Sequence, residues 1–222
     1  MIQARAASRD VGPVPMPTAP SIVFIVDDDI SVRESLELLV QSEGWQPKTF
    51  ASAREFLACP HAVVPSCLVL DLSLPGLNGL ELQKRVAVDR TDMPIIFITG
   101  HGDVPQTVQA MKAGAIEFLT KPFSGEVLLS AIRQALERSR LALASESEMR
   151  ELRGRYASLT NREQQVMALV VSGLLNKQIA GELGISEITV KAHRGQGMKK
   201  MKADSLADLV KMAGRLHVRT LQ

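Results

Sequence analysis

From Ser21 to about Arg140 the hydrophobic positions follow two alternating rhythms. Short unbroken apolar runs, "VFIV" (23–26), "CLVL" (67–70) and "IIFI" (95–98), are too brief for helices and end in polar residues. Between them, apolar residues recur three and four apart, as in Val32, Leu36, Leu39 and Val40, a spacing that gives a helix one apolar face. With "QPKTF" and "IEFLT" as further short runs, five strand candidates alternate with five helix candidates. Strands apolar at every position suit a parallel sheet covered on both faces. Strand–helix alternation over about 120 residues then predicts an α/β fold, a doubly wound five-stranded parallel sheet.

After Arg140 the rhythm changes. Residues 141–156 are polar and helix-favouring, with sparse apolar points at Leu141, Leu143, Met149 and Leu152. They predict a helical linker that continues the preceding helix and lack the sustained heptads of a coiled coil. Residues 157–222 predict a second, smaller all-α domain. Thr160 and Glu163 form a capping box before "NREQQVMALVV", and Gly173 closes that helix. "NKQIAGEL", a turn at "GIS", a basic helix from Glu187, and a helix after Asp204 and Ser205 follow. Helix, glycine turn and basic helix outline a helix-turn-helix; on pattern alone a plain helical bundle fits equally.

Charge sharpens this division. The chain has 222 residues and a net charge of +2, but residues 1–149 carry 13 Lys+Arg against 18 Asp+Glu and residues 150–222 carry 13 against 6. A basic back half points to a polyanion partner, with a merely solvated basic face as the plainer alternative. No apolar stretch reaches the ~18 residues of a membrane span, and the opening residues lack a secretory signal core, so the expectation is a cytoplasmic protein without membrane contact. Residues 1–20, proline-rich and small, predict a disordered tail. Cys59 and Cys67 have no CxxC or His partner at ligand spacing and are expected to be reduced packing thiols.

In doubly wound folds, ligands gather at the carboxyl ends of the strands. Here those ends are Asp27, Asp28 and Asp29 after the first strand, Asp71 after the third, Thr99 and Gly100 after the fourth, and Lys121 and Pro122 after the fifth. Three adjacent carboxylates at a buried strand end are costly unless a metal ion or protonated base sits among them. Asp29, which precedes a helix, reads first as its cap.

The blocks "VDDD", "LVLDLSLPGLNGLEL", "IIFITGHGD" and "AMKAGAIEFLTKPF" resemble, in order and spacing, the receiver domain of a two-component response regulator, a flavodoxin-like fold covering residues 21–140. The resemblance implies that Asp71 is the phosphoacceptor served by a sensor histidine kinase. It implies that Asp27, Asp28, Asp71 and the backbone carbonyl of Ser73 hold Mg²⁺, and that Thr99 and Lys121 contact the phosphoryl oxygens. Thr99 and Phe118 would form the switch pair, although Phe118 is equally well plain core. Asn78 and Gly79, with Pro75 and Gly76, are expected to turn the following loop back over the site. "FITGHGDVPQTVQAMKAG" is implied to be part of a dimer surface.

"LTNREQQVMALVVSGLLNKQIAGELGISEITVKAHRGQGMKKM" resembles a LuxR-type DNA-binding domain, which places the chain near the FixJ/NarL class of transcription regulators. The implied DNA-binding residues are Asn176, Lys177, Thr189, Lys191, Ala192, Arg194, Gly195 and Lys199. Lys191, Ala192 and Gly195 occupy base-facing positions; Asn176, Lys177, His193 and Arg194 lie nearer backbone or structural roles, and His193 is as readily a packing imidazole. Gly195 and Gly197 inside the basic helix each cost roughly 1 kcal/mol against Ala, so this helix is expected to fray without DNA.

Together these readings describe a transcription regulator, not an enzyme. Phosphorylation of Asp71 would favour a homodimer on double-stranded promoter DNA, with RNA polymerase a further partner. A haloacid dehalogenase-type metal-dependent phosphatase is the alternative, from the D-x-D spacing of Asp27 and Asp29. Ser31 departs from that pattern, no later acidic pair is present, and the basic helices have no use in it.

Overall fold

The computed structural model describes residues 20–100 and 104–217. The expected tail therefore lies outside the described residues except for Pro20, as do His101–Asp103 of the implied dimer surface. The chain divides into two compact units, residues 1–143 and 144–222.

Among the described residues of the first unit, β1 (Ile22–Val26), β2 (Gln46–Phe50), β3 (Ser66–Asp71), β4 (Ile95–Thr99) and β5 (Glu117–Thr120) form one sheet in the order β2-β1-β3-β4-β5. Every pairing is parallel; Ile22 faces Gln46 on one side and Ser66 on the other. β1, β3 and β4 are buried at every position, which is why their sequences show no alternation. Pro47, which has no amide hydrogen to donate, sits in the edge strand β2.

Between the strands run α1 (Ile30–Ser42), α2 (Ala53–Ala58), α3 (Gly79–Asp89) and α4 (Val104–Lys112). Two apolar layers cover the sheet. Phe24, Phe56, Leu68, Leu70, Leu82 and Phe97 belong to one; Val23, Ile25, Val40, Val69, Ile96 and Ile132 belong to the other. Each layer takes alternate residues of the same strands, the period-two geometry of a pleated sheet.

α5 (Gly125–Ala157) is one continuous helix that includes residues 141–156. Leu128, Ile132 and Leu136 pack on the sheet, whereas Leu152 joins the core of the second unit. That unit contains α6 (Asn161–Val171), α7 (Asn176–Leu183), α8 (Glu187–Met201) and α9 (Leu206–Leu216) around Val166, Met167, Ile179, Val190 and Leu209. Thr160 and Glu163 form the capping box at the start of α6. Gly184, at φ +63°, ends α7 in the left-handed conformation that lets the chain turn into α8. Ser186 and Ser205 cap α8 and α9, each accepting a backbone N–H; Asp204 is not the cap.

Candidate functional site

The carboxyl ends of β1, β3 and β4 and the segment after β5 bring Asp27, Asp71, Thr99 and Lys121 to one edge of the sheet. Asp27 and Thr99 are fully buried and Asp71 is 6% exposed. Lys121 Nζ donates to Asp27 Oδ2 and to Asp71 Oδ2, both at 2.7 Å. The backbone N–H of Asp29 donates to Asp27 Oδ1 at 2.9 Å, and that of Ser73 to Asp71 Oδ1 at 2.8 Å. The Lys121–Pro122 peptide is cis.

The three consecutive aspartates have three different fates. Asp27 is buried against Lys121; Asp28 is exposed; Asp29 caps α1, its Oδ1 accepting the N–H of Ser31 at 2.8 Å. One carboxylate oxygen each of Asp27, Asp28 and Asp71 lie within 4.8 Å of one another. Burial pushes the Asp27 carboxyl above its ordinary value, despite the lowering by Lys121. For Lys121, burial acts downward but is outweighed by the hydrogen bonds to Asp27 and Asp71, so its ammonium is held above the ordinary value. The Lys121 ammonium contacts two of these three carboxylates. Three clustered carboxylates, an all-oxygen donor set, fit a hard divalent cation.

Two features of this edge escape the sequence motifs. Arg33 Nη1 donates to the backbone carbonyls of Asp27 at 2.7 Å and Asp28 at 2.9 Å, steadying the acidic turn from the first turns of α1. An arginine four residues past a helix cap was the available signal. Gly79 does not serve as a turn residue; the positive φ, +83°, belongs to Gly76. A Cβ at Gly79 would lie 2.8 Å from the Asp71 carbonyl oxygen and 3.0 Å from Leu72 Cα, so glycine is needed for α3 to start against the end of β3. Asn78 is the α3 cap, its Oδ1 accepting the N–H of Glu81 at 2.9 Å.

Phe118 lies on β5 directly opposite Phe97 of β4, with ring centroids 6.1 Å apart, and is only partly buried. Thr99 ends β4, and its carbonyl accepts the Lys121 N–H at 2.7 Å.

In the helical unit the singled-out residues separate by exposure. Lys191, Ala192, Gly195 and Lys199 are exposed on α8, and Lys177 is exposed on α7. Arg194 Nη1 donates to Asn176 Oδ1 at 3.3 Å, tying α8 to α7, so these two occupy each other. The Thr189 N–H donates to the Ser186 cap at 3.1 Å. His193 is half-buried.

The glycines of α8 do not interrupt it: the helix is continuous from Glu187 to Met201. Gly197 has a packing reason, since a Cβ there would lie 2.9 Å from Met167 Sδ of α6. Gly195 has open space around it. Sequence inspection also passed over the ion pair between Lys200 Nζ and Glu163 Oε2, at 2.7 Å. This bond, ahead of the Thr160 N–H, holds the Glu163 carboxyl below its ordinary value and fastens the end of α8 to the start of α6.

The response regulator receiver domain family matches residues 23–133, and the luxR family of bacterial regulatory proteins matches residues 157–213. Nodulation protein W of Bradyrhizobium diazoefficiens is 52% identical over 198 residues, spanning 89% of this chain and 87% of that protein. Transcriptional regulatory protein FixJ of the same species is 41% identical over 198 residues, spanning 89% and 97%. The solved structure of response regulator StyR superposes with a TM-score of 0.80 at 49% identity, over 89% of this chain and 100% of that one. The phosphatase alternative finds no support, since Asp29, the second aspartate of its D-x-D pair, is spent on the α1 cap. Both modules are matched in order along one chain, which therefore belongs to the two-component response regulators that join a receiver domain to a LuxR-type helix-turn-helix domain and regulate transcription.

Proposed function

We propose that Asp71 is the phosphoacceptor and that its phosphorylation controls promoter binding by α8. The observation that carries this reading is the convergence of Asp27, Asp28 and Asp71 within 4.8 Å, bridged by a lysine that contacts two of them. An Asp71 carboxylate oxygen attacks the phosphorus of a phosphohistidine on a sensor kinase. The new O–P bond replaces the N–P bond, and the leaving imidazole takes up a proton. Asp27, Asp28, Asp71 and the Ser73 carbonyl would hold Mg²⁺, which supplies neutralisation of charge on the transferring oxygens. Lys121, already 2.7 Å from Asp71, follows the new negative charge, and the Thr99 hydroxyl donates to it. Phe118, half-buried beside Phe97, then turns inward and alters the surface between β4 and β5.

The working division is a tail at 1–20, a receiver at 21–140, a helical linker at 141–156 and a DNA-binding domain at 157–222. Phosphorylation favours a homodimer, which meets two half-sites of double-stranded promoter DNA and acts on RNA polymerase in the cytoplasm. The chain works as a regulator and turns over no external substrate. Lys177, Lys191 and Lys199 meet phosphates or base edges, while Asn176, Thr189 and Arg194 hold the helix pair and Ala192 and Gly195 allow close approach.

The test is DNA binding and oligomeric state, with and without acetyl phosphate and Mg²⁺, for the wild type and Asp71→Ala. The expected result is a Mg²⁺-dependent gain in dimer and DNA complex that is absent from the variant. Equal gains in both proteins would refute Asp71 as the acceptor.

A further inference from the structure

The exposed stripe of α8 contains one residue whose chemistry differs from its neighbours. Ile188 is 80% exposed, the greatest exposure among the exposed large hydrophobic side chains of the described residues. On a helix advancing about 100° per residue, Lys191 lies about 60° to one side of Ile188 and Ala192 about 40° to the other. Gly195 and Lys199 each lie within about 20° of it. The buried residues Val190, Gly197 and Met201 fall about 140° to 180° away on the same count. Ile188 is thus at the centre of the outward face, in the first turn of the helix.

That position matters because a helix-turn-helix protein reads base edges chiefly with the N-terminal residues of its second helix. An isoleucine cannot donate to a phosphate or accept from a base amine. The apolar feature in the major groove is the C5-methyl group of thymine, and aliphatic side chains contact it. Gly195, on the same line as Ile188 two turns further on, has no side chain and open space around it, so the helix can approach the groove closely enough for Ile188 to be buried there.

We propose that Ile188 is a specificity-determining residue that contacts a thymine methyl group in the operator of this protein. The inference rests on the DNA-binding reading above and adds the base chemistry that α8 selects.

Duplexes retained by the full-length, acetyl phosphate-treated chain from a random pool supply the probe. Each thymine in the selected site is then replaced by uracil, which removes only the methyl group. For the wild type, one such replacement should weaken binding about four-fold, the equivalent of the ~0.8 kcal/mol of one buried methylene-sized group. Ile188→Ala should bind more weakly to the thymine duplex and show no further loss with uracil, while Lys191→Ala should keep the thymine preference. An unchanged thymine-to-uracil ratio in Ile188→Ala, or no thymine whose methyl matters to the wild type, would overturn the inference and leave DNA binding intact. Retention of no duplex at low salt, with or without acetyl phosphate, would overturn both.

Discussion

The two units place their functional groups in opposite ways. In the receiver unit, Asp27, Asp71 and Thr99 are buried at strand ends, and Asp27 and Asp71 share Lys121. In the helical unit, Lys191, Ala192, Gly195 and Lys199 are exposed, and the ion pair with a buried carboxylate, Glu163–Lys200, is structural. Buried charge is expensive without compensation, so a reacting carboxylate must be surrounded by partners that the fold brings from separate strands. Exposed lysines are inexpensive to keep and gain their worth when a polyanion arrives. On the proposed function, chemistry is concentrated inside one unit and recognition is spread over the surface of the other.

The glycines give the sharpest way to break this contrast. Gly79→Ala sets a Cβ against backbone, 2.8 Å from the Asp71 carbonyl oxygen, where nothing can swing aside; overpacking of this kind costs about 1–3 kcal/mol. The expected outcome is a lower denaturant midpoint by the fluorescence of Trp45, the single tryptophan, together with slower labelling of Asp71 by acetyl phosphate.

The Glu163–Lys200 pair tests whether the helical unit also depends on a buried charge. Because the folded Glu163 carboxyl is held below its ordinary value of 4.5, its contribution is present above that pH and is lost as pH falls through the folded value. Glu163→Gln should speed amide exchange across α6 and α8 at neutral pH, and should flatten the loss of protection expected of the wild type below that value. An acid response as steep as that of the wild type would place the pH sensitivity elsewhere.

The smallest change should run the other way. Gly195→Ala fits open space in a helix interior and should stabilise the helical unit by about 1 kcal/mol, read as slower amide exchange in α8 of the free protein. DNA binding is the counter-readout: a more stable helix with weaker DNA affinity would mean that close approach at Gly195 matters more than helicity.

Much of the receiver pocket was legible because its residues are out of character with their surroundings. An apolar run that stops in three aspartates, or a lone aspartate closing "CLVL", contradicts the pattern around it. The sequence already marks Asp29 as a cap, and the α1 geometry bears that out; what the structure adds is the burial of Asp27 against Lys121 and the proximity of Asp28 to Asp71. Arg33 was missed because its partners are backbone carbonyls, so that its place four residues past the Asp29 cap was the one signal it left in the sequence. In the helical unit the capping box and turn glycines were readable locally, whereas nothing in the local pattern singles out Ile188.

What the amino-acid sequence determined by itself was the periodic and local part: which segments are strands or helices, where they are capped, and that an acidic front precedes a basic back. These follow from side-chain spacing, backbone preferences and net charge, all of which act between near neighbours. Only the tertiary structure decided that Gly79 and Gly197 serve close approach while Gly195 faces open space, and that Lys121 bridges two aspartates 94 and 50 residues away in the chain. Those facts depend on contacts between segments remote in sequence, and they exist only once the apolar faces have been buried against one another.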